Sequence, residues 1–190
     1  NGGTLTSQDG DAEAPAVHGK GTATMKPGPG VRVLVVAVYV DAILWSIPFV
    51  RPVSEAIVHA GDVGGAHVLD ALRAMAPLHA VYGNNDEKAG GLGLRLREDL
   101  ELGGAHLHLV HQLPHARPRP RVRIVVYGHS HRALIERRDG RLYINPGAAG
   151  RVGFHRVQSV ALLTIDEGEI DARIVELGAR EARRVRGGSR

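Results

Sequence analysis

The order of apolar runs and glycine turns limits the fold of this 190-residue chain more than any other feature. A continuous β-branched run over 31–38 predicts a buried strand, and two further short strands lie within 55–62 and 78–86. Between these two, residues 66–75 carry apolar side chains at helical spacing, and Pro77 ends the helix. Strand, helix and strand in this order predict parallel strands at the centre of a sheet.

The second half of the chain has a different pattern, in which alternating apolar segments meet at glycine-containing turns. Such turns are typical of antiparallel hairpins. Three hairpins are predicted, with turns at Gly103-Gly104, Asp139-Gly140 and Glu167-Gly168. Early β-α-β units followed by hairpins predict the α/β class, as a sandwich of two sheets flanked by helices.

The two ends of the chain differ in composition from the middle. Residues 1–30 are rich in Gly, Ser, Thr, Asp and Pro and are predicted to be a disordered N-terminal extension. Residues 31–177 are predicted to form one domain, followed by a basic disordered tail over 178–190. No apolar run approaches the ~20 residues that a membrane span needs, and the sequence as supplied shows no secretory signal.

Composition also narrows the chemistry that the chain can perform. It has no cysteine, which excludes disulfides and thiolate metal ligands and agrees with an expected cytoplasmic location. The net charge is +4, and many of the arginines cluster in 117–123 and 180–190. No aromatic residues are interleaved with these arginines, so we interpret both clusters as solvated segments. Nucleic acid is therefore not an expected partner, except as a nucleotide-type substrate.

Four predicted strands end in side chains that commonly bind metal ions. The residues that follow the apolar runs are Asp62, Asn84, His111, and the pair His129 and His131. Because the carboxyl ends of strands in an α/β sheet meet at one edge, these side chains are expected to lie close together. A mixed nitrogen and oxygen set suits Mn²⁺, Fe or Zn²⁺ better than Ca²⁺. Two such ions about 3.5–4 Å apart are suited to phosphoryl chemistry.

Each of these signals is weak when taken alone. Gly61-Asp62 and Gly83-Asn84 are also ordinary turn sequences. Three further histidines have simpler interpretations: His106 and His108 alternate with leucines and are predicted to be surface residues, and His59 is predicted to pack beside the sheet or to satisfy a backbone group. The metal-site interpretation therefore rests on all four strand ends occurring together.

The same blocks resemble the signature of one enzyme superfamily. HAGD, YGNND, LVH, YGHSH and NPGAAG, within residues 31–177, resemble the calcineurin-like metallophosphoesterases, and in particular their small single-domain bacterial and archaeal phosphodiesterases. The resemblance implies a four-layer α/β/β/α sandwich of two mixed sheets. It also implies a dinuclear centre, commonly of Mn²⁺ with Fe, Zn or Ni as alternatives, that hydrolyses small phosphate esters with a metal-bound hydroxide.

The resemblance assigns a role to each site residue. Asp62 would bridge both ions, Asn84, His111 and His129 would complete one site, and His131 would belong to the other. Asp62, Asn84, His129 and His131 are accordingly the predicted catalytic group. Asp86 would orient neighbouring groups from behind the ligands. The segment Asn145-Pro146-Gly147 matches an N-P-G turn of the family and is interpreted as structural support.

The chain departs from the family at the end of its first strand. An Asp-x-His motif normally supplies two ligands there, but this sequence has Val38, Tyr39 and Val40. The site of His131 would then keep only two protein ligands, and recruiting Asp41 would require the strand register to shift. Three explanations stay open: catalysis is lost and the protein is a scaffold, as in the retromer subunit of this fold; one metal suffices; or this stretch of the sequence is altered.

Two further features bear on substrate and partners. Asn85 occupies the position where many relatives have a histidine that protonates the leaving group, so substrates with good leaving groups, such as aryl phosphodiesters or nucleotides, are expected. The apolar residues Trp45, Ile47, Phe49 and Val50 are either a partner surface or buried against the sheet. A homo-oligomer is left open, and no membrane association is expected.

Overall fold

The computed structural model describes residues 30–37, 54–89, 92–150 and 157–179. Most of the predicted extension, and the tail from residue 180 onward, lie outside these ranges. So does the segment 38–53, which contains the departure from the Asp-x-His motif, Asp41 and the apolar residues Trp45, Ile47, Phe49 and Val50.

One mixed five-stranded sheet is built from the first three strands and the last two. These are β1 (Val31–Val36), β2 (Ala56–His59), β3 (Leu78–Ala80), β9 (Val157–Asp166) and β10 (Glu169–Ala179). The strand order is β10-β9-β1-β2-β3, and we call this sheet A. Strands β1, β2 and β3 are parallel, as predicted from the β-α-β pattern, whereas β9 pairs antiparallel with both β1 and β10.

The second five-stranded sheet, sheet B, comes from the middle of the chain. Its strands are β4 (Arg97–Leu102), β5 (Ala105–Val110), β6 (Ile124–Val126), β7 (Leu134–Arg138) and β8 (Arg141–Asn145). They are arranged in the order β4-β5-β6-β8-β7, in which β5, β6 and β8 are parallel. The three predicted hairpins are confirmed as β4–β5, β7–β8 and β9–β10.

The main core lies between the two sheets. Val33, Val35 and Val58 of sheet A contact the same apolar cluster as Leu107 and Ile124 of sheet B. The predicted helix spans Ala66–Arg73 (α1) and buries three apolar side chains against the outer face of sheet A: Val68, Leu69 and Leu72. A short 3-10 turn, Leu113–His115, packs on the outer face of sheet B.

The predicted fold class is therefore confirmed: an α/β protein with two mixed sheets and few helices. Over the described ranges, no helix combines the length and apolarity that crossing a membrane requires.

The prediction that His108 lies at the surface is wrong. Only 1% of His108 is exposed, because the loop after the 3-10 turn covers the outer face of β5. The Nδ1 atom of His108 lies 2.5 Å from Asp99 Oδ1 on the paired strand β4, and its Nε2 atom accepts the Arg117 backbone N–H at 3.2 Å. A buried imidazole is tolerated there because both ring nitrogens have partners.

Candidate metal centre

Four of the five predicted ligands meet at one edge of the sandwich. Asp62 and Asn84 follow β2 and β3 of sheet A, whereas His111 and His129 follow β5 and β6 of sheet B. Asn84 Oδ1 lies 2.9 Å from His111 Nε2 and 3.0 Å from His129 Nδ1. Asp62 Oδ2 lies 3.5 Å from the same His111 nitrogen. The carboxyl ends of parallel strands in both sheets thus contribute donors to a single cluster.

The protonation of His111 follows from its backbone contact. Its Nδ1 atom lies 2.7 Å from the carbonyl oxygen of Ala60, and a carbonyl can only accept a hydrogen bond. Nδ1 therefore carries a proton, and in this tautomer the lone pair of Nε2 faces Asn84 Oδ1. Two acceptors that face each other at 2.9 Å repel unless a proton or a cation lies between them.

The spacing of the donors fits a divalent ion. Donors about 2.1 Å from a shared ion are separated by about 3.0 Å at a right angle and about 3.4 Å in a tetrahedron. The separations here are 2.9, 3.0 and 3.5 Å. Among the described residues, no group of three Asp, Glu or His side chains could hold a metal ion. The amide oxygen of Asn84 is therefore needed to complete the set of ligands. Two imidazoles with carboxylate and amide oxygens suit Mn²⁺, Fe or Zn²⁺.

Asn85 has a structural role that sequence reasoning missed. Its backbone N–H and its side-chain amide each donate to a different carboxylate oxygen of Asp62, both at 2.9 Å. Asp62 is only 1% exposed, so these two hydrogen bonds fix the plane of a buried carboxylate. The signal in the sequence was the second polar residue of the YGNND block.

Asp86 lies behind the donors and organises the loops that carry them. This fully buried carboxylate accepts the backbone N–H groups of Asp62 at 3.1 Å, Gly64 at 3.3 Å and Gly83 at 2.8 Å. It therefore holds the loop after β2 against the loop after β3. The predicted orienting role has this geometric basis.

Gly83 is required because the same two loops approach closely. A Cβ atom at position 83 would lie 2.1 Å from the backbone nitrogen of Asp62 and 2.3 Å from its Oδ1. No side chain fits at those distances, so the glycine of the YGNND block allows the loops to meet.

The loop that carries His129 is supported by the N-P-G segment. The side-chain amide of Asn145 donates to Gly128 O at 2.9 Å and to Ser130 Oγ at 3.0 Å, and its Oδ1 accepts the Gly147 N–H at 3.0 Å. Asn145 is fully buried. Its hydrogen bonds on both sides of His129 position that imidazole without touching it.

Three predicted site residues have left-handed backbone conformations. The φ angles are 59° at Asp62, 64° at His129 and 57° at His131. The other two non-glycine residues with positive φ in the described part of the chain, Asp139 and Glu167, lie in hairpin turns. Such conformations are costly for residues with a Cβ atom, and they concentrate at functional sites. His131 lies two residues beyond His129 on this loop, and its assignment to a second ion stays a prediction.

His59 is a buried neutral group beneath the site. Its Nδ1 accepts the Gly61 N–H at 3.2 Å, in agreement with the prediction that it satisfies a backbone group. Burial lowers the pKa of His59 to about 4, although the negative charge of Asp62 opposes the shift and His111 adds to it. His59 is therefore uncharged at neutral pH.

Comparison with known proteins finds similarity to a family of phosphoesterases. The family model of the calcineurin-like phosphoesterase superfamily domain matches residues 47–168, which is well over half of the chain. The match begins after the position of the absent Asp-x-His motif. A probable metallophosphoesterase of Methanothermobacter thermautotrophicus is 30% identical over 135 residues, which cover 66% of this chain and 77% of that protein.

Solved structures with the same fold have lower sequence identity. A novel archaeal phosphodiesterase is 19% identical, with a TM-score of 0.64 over 77% of this chain and 100% of the other. Wild-type Vps29 of Entamoeba histolytica, determined with Zn²⁺, is 20% identical, with a TM-score of 0.59 over 78% of this chain and 100% of the other. The family match, the 30% identical relative and the shared two-sheet fold together mean that this chain belongs to the calcineurin-like phosphoesterase superfamily.

Proposed function

We propose that this protein is a metal-dependent phosphoesterase that hydrolyses small phosphate esters at the centre formed by Asp62, Asn84, His111 and His129. The observation that carries the proposal is the pair of acceptors, His111 Nε2 and Asn84 Oδ1, that face each other at 2.9 Å. A divalent cation between them would convert this repulsion into two ligand bonds. His131 would serve a second ion, and Mn²⁺ is our preferred metal among Mn, Fe, Zn and Ni.

An ion held by these residues would supply Lewis acidity and an activated water at neutral pH. The surrounding residues keep the donor atoms in the tautomer and the orientation that binding an ion requires. The Ala60 carbonyl holds the proton of His111 on Nδ1, and Asn85 holds both oxygens of Asp62. The buried negative charge of Asp62 offsets part of the positive charge of the ion.

The same contacts favour substrates with good leaving groups. The amide of Asn85 is directed at Asp62 Oδ2 at 2.9 Å and has no proton that titrates near neutral pH. It therefore does not supply an acid to the departing oxygen. Aryl phosphodiesters, including aryl esters of nucleotides, are the expected substrates, because their phenolate leaving groups are weak bases.

The test is hydrolysis of bis(p-nitrophenyl) phosphate with added Mn²⁺, after removal of metal by a chelator. We expect Mn²⁺-dependent release of nitrophenolate by the wild type and near-background rates for His129→Ala and Asn84→Ala. His106→Ala is the matched control, because this half-buried histidine lies on the outer face of β5, away from the donors. Equal rates for the wild type and His129→Ala would refute the proposal.

A second candidate function is a binding protein with weak or no catalysis. It is favoured by one observation, that Val38, Tyr39 and Val40 occupy the positions of the Asp-x-His motif and cannot hold a cation through valine side chains. Elemental analysis of the purified protein separates the two functions. One or more Mn, Fe or Zn per chain favours the enzyme, whereas a folded, metal-free protein that gains no stability from Mn²⁺ favours the binding protein.

We also propose a cytoplasmic location and a homo-oligomeric state. The first rests on the absence of cysteine alone. Cell fractionation and sedimentation velocity test them.

A further inference from the structure

A cavity of about 470 Å³ opens directly beside the donor cluster and shares Asn84 and His111 with it. Its volume lies in the range of small-molecule sites. Gln112 joins the two regions, because its side-chain amide lies 3.4 Å from Asn84 Oδ1. The other lining residues come from β4, the end of β5 and the loops around them: Tyr82, Leu96, Arg97, Val110, His115 and Arg117.

The charged residues that line this cavity are cationic. Arg97 and Arg117 both line it, and none of the described residues that line it is an aspartate or glutamate. Among the described residues, Arg97 has no ion-pair partner within 4 Å. An unpaired arginine beside another arginine favours an anionic ligand, because planar guanidinium groups bind phosphate oxygens in pairs.

Arg117 is held in place rather than free in solvent. Its Nη1 donates to the backbone carbonyls of Pro114 at 3.0 Å and Ala116 at 2.6 Å. Its backbone N–H donates to the buried ring of His108, which contacts Asp99. The buried His108 therefore anchors the backbone of Arg117 at the cavity wall, and the two carbonyls hold Nη1 of its guanidinium. Arg117 is exposed, so the N–H groups on its Nε and Nη2 are accessible to a ligand.

Part of the cavity wall is apolar. Leu96 is 71% exposed, which is unusual for a leucine, and Val110 and the ring of Tyr82 lie on the same wall. An apolar wall with two arginines matches an organic body that carries a phosphate.

We propose, on the basis of the function proposed above, that this cavity is a subsite for a second phosphate on the organic group of the substrate. The preferred substrates would be nucleotide-sized phosphate esters that carry two phosphates. The scissile phosphorus lies at the donor cluster, and the second phosphate lies between Arg97 and Arg117. In the reaction, water adds to the scissile phosphorus, one P–O ester bond breaks, and the departing oxygen ends with a proton from water. The second phosphate is bound and unchanged.

Binding tests the subsite without requiring catalysis. Titration calorimetry compares adenosine 3′,5′-bisphosphate with adenosine 5′-monophosphate, with and without Mn²⁺. We expect the wild type to bind the bisphosphate about tenfold more tightly or better, since the arginine side chains would donate hydrogen bonds to a charged phosphate. Arg97→Gln and Arg117→Gln should each remove most of this preference. Arg73→Gln, on the exposed face of α1, should keep it, and Arg97→Lys should keep part of it.

Kinetics then separates the subsite from the proposed function. The substrates are thymidine 5′-(p-nitrophenyl phosphate) with and without a 3′-phosphate, together with bis(p-nitrophenyl) phosphate. The two arginine variants should raise KM for the 3′-phosphorylated substrate more than KM for the substrate that lacks the 3′-phosphate. Arg73→Gln should leave hydrolysis of all three substrates unchanged. If the wild type hydrolyses the simple diester but shows no preference for the second phosphate, the subsite is overturned and the function stands. If no diester is hydrolysed but the arginine-dependent binding preference is present, the function fails and the subsite stands.

Discussion

The Nδ1–H of His111 donates to the carbonyl oxygen of Ala60 across 2.7 Å, and this hydrogen bond joins the two sheets at the edge where the donors meet. His111 follows β5 of sheet B, whereas Ala60 follows β2 of sheet A. This one hydrogen bond therefore sets the tautomer of His111, a candidate metal ligand, and fixes its position relative to Asp62. Because the proton of His111 is already on Nδ1, its Nε2 atom can bind an ion without a change of tautomer.

The first prediction concerns the central amide oxygen. Asn84→Ala should lower the affinity for Mn²⁺ by more than about 100-fold, because it removes a metal ligand rather than a residue that only positions a ligand. Asn84→Asp keeps an oxygen at the same place and is expected to retain binding. The measurement is the Mn²⁺-dependent rise in melting temperature, with free Mn²⁺ set by a chelator buffer. Equal shifts for the wild type and Asn84→Ala would show that Asn84 is not a ligand.

The second prediction concerns Asp86. Asp86→Ala leaves three buried or partly buried N–H groups without their acceptor, so the free energy of unfolding should fall by about 3 kcal/mol. Asp86→Asn keeps one acceptor oxygen and should lose less. Urea denaturation of the metal-free protein measures both. Glu87→Gln, an exposed neighbour, is the control and should change stability by less than about 0.5 kcal/mol.

The third prediction concerns the close approach at Gly83. Gly83→Ala places a methyl group 2.1 Å from the backbone nitrogen of Asp62, so the two loops must separate. We expect lower stability together with weakened Mn²⁺ binding, since the displaced loop carries Asn84. Gly140→Asn is the matched control, because position 140 has a φ of 72°, has open space around it, and asparagine tolerates that conformation. A fully stable Gly83→Ala protein with unchanged metal affinity would contradict the loop geometry.

The fourth prediction concerns support of the His129 loop. Asn145→Ala removes the hydrogen bonds to Gly128 and Ser130 that flank His129. The affinity for Mn²⁺ should fall by about 10–100-fold, the usual cost of losing a partner behind a ligand. Calorimetric titration of the folded variant measures the loss, and circular dichroism checks that the sheets persist. Unchanged affinity would mean that this loop holds its shape without Asn145.

The fifth prediction follows from the buried imidazole of His59. Its pKa is lowered to about 4 in the folded protein, against about 6.5 in the unfolded chain. As pH falls below 6.5 the unfolded chain takes up the proton first, so this contribution to stability is complete above pH 6.5 and is lost as pH falls toward 4. The shift corresponds to about 3 kcal/mol over that interval.

The measurement is urea denaturation of the metal-free protein at pH 7, 5.5 and 4.5. His59→Asn keeps an acceptor for the Gly61 N–H but cannot titrate in this range, so its stability should depend less steeply on pH than that of the wild type. Identical pH profiles for the two proteins would show that His59 is not a source of the dependence.

Much of the architecture was predictable because its causes are local. The β-branched run of β1 and the glycine turns at 103–104 and 139–140 act over a few residues, and each is visible in the sequence. The positions of Asp62 and His111 directly after apolar strands also predicted that they would meet. The rule that parallel strands end at a common edge acts within each sheet, and the packing of sheet A on sheet B brings the two edges together.

Other features depend on which segments of the chain cover one another in the folded protein. No local sequence pattern predicts this coverage. His108 has the sequence pattern of a surface residue but is buried, because a loop nine residues away folds over it. Asp86 reaches the backbone of Asp62 across 24 positions in the chain, and His111 reaches Ala60 across 51.

The sequence by itself therefore determined the two-sheet fold, the strand ends and the chemical types of the donors. Only the tertiary structure decided which nitrogen of His111 carries the proton, how Asn85 and Asp86 hold the carboxylate loop, and that Arg97 and Arg117 line one cavity. The physical reason is the separation along the chain over which each effect acts. Strand and turn formation depend on neighbouring residues, whereas hydrogen-bond pairing and burial depend on contacts between distant segments.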